Sequence, residues 1–139
     1  MNRTKKKVVI IDYKLGNLFS VKQACDKVGM DAIISSDRSI ILEADALILP
    51  GVGAFIEAMK NLEDLNLITA IKSKVKKGVP IFGICLGLQL LFTKSEEFGS
   101  KDGLDLISGS IKKFPEKLND KIIKVPHIPW NKIYEVGKK

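Results

Sequence analysis

Four short apolar runs constrain this chain more than any other feature: residues 8–12 (VVIID), 31–36 (DAIISS), 46–49 (ALIL) and 79–84 (VPIFGI). Runs of four to six residues bounded by turn residues read as strands, and strands without polar alternation are covered on both faces. Between them lie segments with helical spacing. Asn17 is a good N-cap for a helix carrying Leu18, Val21, Cys25 and Val28, which stops at Gly29. Residues 40–44 form a helical turn, 54–62 a helix, and 65–77 a second helix with Leu65, Ile68, Ile71 and Val75 on one face, closed by Gly78. Strand and helix in regular alternation predict an α/β fold with a mainly parallel sheet and helices on both faces. Ligands of such sheets gather outside the carboxyl ends of the strands. The loops at 12–17, at 50–53 and at Cys85 leave those ends and converge on one site.

The sharpest local signal is the corner Gly83-Ile84-Cys85-Leu86-Gly87. An apolar strand turns there into a helix read over 86–93 (LGLQLLFT), with glycines two residues before and two after the cysteine. Missing Cβ atoms let strand and helix crowd together, as in the nucleophile elbow of G-x-S-x-G enzymes, so the sulfur projects. A cysteine at a helix start is biased towards the thiolate, and the Leu86 N–H faces any oxyanion formed by attack on a carbonyl. Gln89 lies one turn further along the same helical face. A buried structural cysteine is the competing reading of the motif alone.

Composition removes several other classes of function. The 139 residues suit one domain with a real core. Formal net charge is +7, but the basic residues are scattered over 3–7, 72–77, 112–117 and 138–139, with only 6% aromatic residues in the chain and no nucleic-acid motif. They read as solvated faces. Two cysteines sixty positions apart make neither a metal pair nor a disulfide framework, which indicates a reducing compartment, and Cys25 falls on the apolar face of its helix. No apolar run approaches the ~20 residues of a membrane span, and the apolar run after Lys5-Lys6-Lys7 is too short for a signal peptide. A cytoplasmic protein without metal, cofactor, membrane or nucleic-acid partner is the expectation.

The turn Pro50-Gly51-Val52-Gly53 offers backbone amides free of side chains, which suits the second half of an oxyanion hole; by itself it is also an ordinary strand-to-helix turn. Beside a cysteine elbow the two loops together describe acyl transfer from an amide or ester. Beyond the corner come a polar stretch over 94–102, candidate strands at 109–114 and 122–125, and a rigid segment, PHIPWN, at 126–131.

The ordered segments IDYKLGNLFSV, LILPGVGAF, GICLGLQLLF with SEEFG, and KVPHIPWN cover nearly all of the chain. In this order and spacing the chain resembles the glutaminase subunits of imidazole glycerol phosphate synthase, class I (triad) glutamine amidotransferases. The resemblance implies a flavodoxin-like fold, hydrolysis of L-glutamine to glutamate and ammonia, and transfer of the ammonia to a (β/α)8 cyclase partner in a heterodimer of histidine biosynthesis. It assigns Cys85 as the nucleophile of a γ-glutamyl thioester. Gly51, Val52 and Gly53 become the oxyanion strand, after a peptide reorientation triggered by the partner, with Leu86 as second donor. Gln89 and Glu97 hold the substrate. Asn17 and Trp130 meet the cyclase, although Trp130 reads equally well as a core residue.

Three features depart from that family. Lys14 and Pro129 stand where it usually has glycine, and Pro129 removes an N–H and fixes φ. The family's base histidine and orienting glutamate belong to a later H-P-E motif, and His127 matches a non-catalytic position. The expectation is therefore the N-terminal two-thirds of one domain, without full glutaminase turnover alone and with apolar surface left open to association. Rival readings are an ammonia-supplying subunit for a sugar amidotransferase of surface-polysaccharide synthesis, another cysteine-elbow hydrolase or stress protein, and a non-catalytic assembly module.

Overall fold

The computed structural model describes residues 6–118, 121–122, 125, 130, 132 and 134–137. The first part of the chain alternates as β1 (Lys7–Ile11), α1 (Leu18–Lys27), β2 (Asp31–Ser35), α2 (Arg38–Glu43), β3 (Ala46–Leu49), α3 (Phe55–Asp64), α4 (Ile68–Lys76) and β4 (Ile81–Gly83). The four strands form a parallel sheet in the order β2-β1-β3-β4. The chain steps from β1 outward to β2, then returns past β1 to β3, so the topological switch point lies between β1 and β3.

Strand periodicity sorts the core into two layers. Val9 and Ile11 of β1, with Leu47 and Leu49 of β3, face α2, α3 and α4 and join Ile41, Leu62 and Ile71 in the larger cluster. Val8, Ile10 and Ile48 point the other way and meet Cys25, Leu18 and Val21 of α1. Cys25 is thus a core residue, as its position on α1 implied. The helices do lie on both faces, but unequally. Among the described residues α1 alone covers the second face, and Phe82 of the edge strand β4 remains 65% exposed there. An apolar groove of about 390 Å³ runs between Val21, Cys25, Met30, Ile48, Phe82 and Ile84. The reading of 79–84 as a strand buried on both faces is corrected on this point. Val28, expected on the inner face of α1, is also exposed, because the helix ends at Lys27 and Gly29 turns the chain with φ +74°.

The helix after the corner is shorter than its apolar pattern suggests. It runs as α5 over Leu86–Leu90, and Phe92–Ser95 is a strand, β5. The amides of Leu104 and Leu106 take the carbonyls of Leu90 and Leu91, and Gly103 takes that of Thr93. A competing partner thus captures the carbonyls that further helical turns would use, while Phe92 and Thr93 suit a strand. The polar stretch therefore holds real structure. β5 pairs antiparallel with β6 (Lys101–Asp102) and parallel with β7 (Ile107–Ile111), the latter replacing the strand expected at 109–114. Short strands β8 (Lys117–Leu118) and β9 (Lys121–Ile122) pair antiparallel, so the strand expected at 122–125 begins earlier than its pattern indicated. His127 and Pro129 lie outside the described residues.

Candidate active site

The three loops at the carboxyl edge of the sheet meet, and backbone geometry brings them together. Ile84 N–H donates to Leu49 O at 3.0 Å, carrying the β3–β4 pairing up to the corner. Cys85 then adopts φ 53°, ψ −116°, a region that L-residues avoid because of Cβ crowding. Its flanking glycines are both required. A methyl group on Gly83 would come within 2.6 Å of Leu88 Cα, and one on Gly87 would overlap the carbonyl oxygen of Leu49. The tight return of α5 over the strand turns Cys85 outward. Its thiol is exposed while Leu86 and Leu90 pack into the core.

The start of α5 carries the first candidate donor. The amides of Gly87, Leu88 and Gln89 bond to Ile84 O and Cys85 O at 2.9–3.2 Å. The Leu86 amide makes no hydrogen bond among the described residues. Gln89 sits one turn beyond Cys85 and is half-buried. Glu97, also half-buried, follows β5 and takes part in a bridge with Gly99; its N–H approaches Ser95 Oγ at 3.4 Å.

The 50–53 turn lies directly against this helix start. A Cβ on Gly51 would be 2.9 Å from Gly87 N and 3.0 Å from Leu86 Cβ, so Gly51 and Leu86 are neighbours. Gly51 is buried, Val52 is 53% exposed, and Gly53 has φ +98° with open space around it. Gly16 of the first loop faces Pro50, at 3.4 Å from a built Cβ, and joins the third side of the cluster.

Tyr13 is the residue that sequence reasoning missed. It is fully buried and its hydroxyl donates to Pro50 O at 2.7 Å. Burial, reinforced by negative charge at Cys85, pushes its phenol well above the ordinary value of 10.0. The signal was present in strand parity: Val9, Ile11 and Tyr13 alternate onto one face, and all three lie in the larger cluster.

The two candidate interface residues both lie at the surface. Asn17 is exposed and caps α1, its Oδ1 accepting from Ser20 N–H at 3.1 Å. Trp130 is fully exposed. Among the described residues no group of three or more His, Cys, Asp or Glu is placed to hold a metal ion, and no helix is long and apolar enough to cross a membrane.

Residues 9–132 match the model of the CobB/CobQ-like glutamine amidotransferase domain. The chain is 48% identical over 129 residues to the imidazole glycerol phosphate synthase subunit HisH of Aquifex aeolicus, covering 92% of this chain and 60% of that protein. It is 50% identical over 128 residues to the same subunit of Lactococcus lactis, covering 92% and 61%. The chain thus spans about three-fifths of the length of these relatives. A crystal structure of a glutamine amidotransferase superimposes with a TM-score of 0.65 at 20% identity, over 75% of this chain and 55% of that one, a likeness of fold. With the strained cysteine corner, the adjoining glycine turn and a family match through nearly the whole chain, the protein belongs to the CobB/CobQ-like glutamine amidotransferase domain family.

Proposed function

We propose that the chain hydrolyses L-glutamine to glutamate and ammonia through Cys85, and supplies the ammonia to a (β/α)8 cyclase subunit that makes imidazole glycerol phosphate. The observation that carries the chemistry is the exposed Cys85 thiol, lifted at φ 53°, ψ −116° beside the 50–53 turn. The pathway rests on the names of the relatives, which are imidazole glycerol phosphate synthase subunits.

In this reading Cys85 Sγ attacks the γ-carboxamide carbon. An S–C bond forms, and the carbonyl electrons move to oxygen. The Leu86 amide and an amide of the 50–53 turn receive that oxyanion, a contribution worth about 3–4 kcal/mol per well-placed donor. The C–N bond then breaks, and ammonia leaves with the proton that the thiol held. Water adds to the thioester carbonyl, the C–S bond breaks, glutamate departs with the water's oxygen, and one of the water's protons goes to sulfur. Gln89 and Glu97 hold the amino-acid end of glutamine, and Asn17 and Trp130 form part of the cyclase-facing surface. A base must carry the proton between these steps, and the described residues do not supply it.

The nucleophile is tested without turnover. Incubation with a chloroketone analogue of glutamine gives a stoichiometric mass adduct at Cys85, slowed by L-glutamine and absent from Cys85→Ala. Labelling that spreads to Cys25, or that glutamine does not slow, removes the glutaminase reading. Titration with a purified (β/α)8 cyclase tests the partner. Binding that Trp130→Ala leaves unchanged removes that residue from the interface, and no binding at all leaves the sugar amidotransferase partner as the better assignment.

A further inference from the structure

We infer that Tyr13 is a positioning residue for the oxyanion strand: its hydroxyl pins the Pro50–Gly51 peptide against the start of α5, leaving reorientation to the two peptides that flank Val52. This inference rests on the glutaminase reading and adds to it the part of the turn that moves and the part that does not.

Two observations fix the immobile end. Tyr13 Oη donates to Pro50 O at 2.7 Å across 37 residues of sequence, in a buried setting, and no other donor among the described residues reaches that carbonyl. A buried carbonyl without a partner is disfavoured, so this bond persists once the core has formed. Burial and the charge at Cys85 both oppose ionisation of the phenol, which keeps it a donor. Gly51 is held between that hydroxyl and the helix. A Cβ there would overlap Tyr13 Oη on one side and approach Gly87 N to 2.9 Å on the other.

The mobile end begins one residue later. Val52 is exposed, and a Cβ on Gly53 would meet nothing within 4 Å. Gly53 already uses φ +98°, and glycine populates positive and negative φ about equally readily. A turn anchored at Gly51 and free at Gly53 can swing one amide towards Cys85 without moving the sheet. An unanchored turn would swing as a whole and present no fixed donor. Preorganisation of that donor gives the oxyanion site its value.

The test compares the whole chain with Tyr13→Phe, which keeps the ring and removes the hydroxyl. Labelling of Cys85 by the chloroketone analogue of glutamine passes through an oxyanion, whereas iodoacetamide alkylates sulfur by direct displacement. In Tyr13→Phe the chloroketone rate falls about tenfold, less than the 10²–10³ seen when a donor itself is removed, while the iodoacetamide rate stays within about twofold. An unchanged ratio of the two rates overturns the inference. Simultaneous exposure of Cys25 to iodoacetamide also overturns it, since Tyr13 then only packs the core. Relaxation dispersion of the backbone amides judges the same point independently of any substrate. The wild type shows exchange at Val52 and Gly53 but not Gly51, and in Tyr13→Phe exchange spreads to Gly51. Identical behaviour of Gly51 in both proteins defeats the inference. A wild type that reacts with iodoacetamide yet shows no glutamine-sensitive chloroketone labelling defeats the glutaminase reading instead, and the dispersion result still decides the role of Tyr13.

Discussion

Gly87 lies so close to Leu49 that any side chain on it would overlap the Leu49 carbonyl oxygen. The nucleophile corner and the strand that ends in the 50–53 turn are therefore in backbone contact, and a change in one is transmitted to the other.

Gly87→Ala and Gly53→Ala separate two roles of glycine. The first must displace a backbone carbonyl held in the sheet, so it destabilises the chain by about 3 kcal/mol and abolishes glutamine-sensitive labelling of Cys85. The second meets empty space and costs only the backbone strain at φ +98°, about 1–2 kcal/mol. Urea denaturation of both variants checks the order. Equal losses would show that the Leu49 strand end gives way to the added methyl group at Gly87.

Cys85 occupies a backbone conformation better suited to glycine than to any L-residue. Cys85→Gly is accordingly more stable than Cys85→Ala, by about 1–2 kcal/mol, although neither variant forms an adduct. Paired denaturation midpoints provide the measurement. Cys85→Ala matching or exceeding Cys85→Gly would mean that the corner is unstrained.

Asn17 caps α1 through its bond to Ser20 N–H. Asn17→Ala loses about 1 kcal/mol of stability, and Asn17→Asp retains most of it. This separates the cap from any contact with a partner: an Asn17→Asp variant that is stable yet binds a cyclase weakly places Asn17 at the interface as well.

Asp37 caps α2, accepting from Ser39 N–H and Ser39 Oγ, each at 2.7 Å. The Ser39 side-chain bond and then its backbone bond hold the Asp37 carboxyl below its usual value of 3.8. A depressed folded-state pKa stabilises the folded chain fully above the unfolded value and is lost as pH falls through the folded one. Stability therefore declines on acidification below about pH 4, and Asp37→Asn flattens that part of the profile. Denaturation midpoints across this range test the sign. A variant whose profile superimposes on the wild type would show that the cap does not titrate in this way.

Much of this architecture was legible in residue order. Unbroken apolar runs along 8–11 and 46–49 located two strands covered on both faces, because alternate side chains must point to opposite sides of a sheet. Glycines spaced around Cys85 located the corner, because only residues without a Cβ admit so close a return of helix on strand. Local propensity and steric exclusion act within a few residues, and a sequence records them directly.

The remainder was decided by distant partners. The helix after the corner ends at Leu90 because residues 103–107 compete for its carbonyls, and a polar stretch becomes strand because β7 pairs with it. Phe82 is exposed because β4 is a sheet edge, not because its strand lacks apolar character. Tyr13 reaches Pro50 only after β1 and β3 have paired and brought positions 37 residues apart within hydrogen-bonding range. Such pairings depend on which surfaces the whole chain leaves available, and no local pattern carries that information.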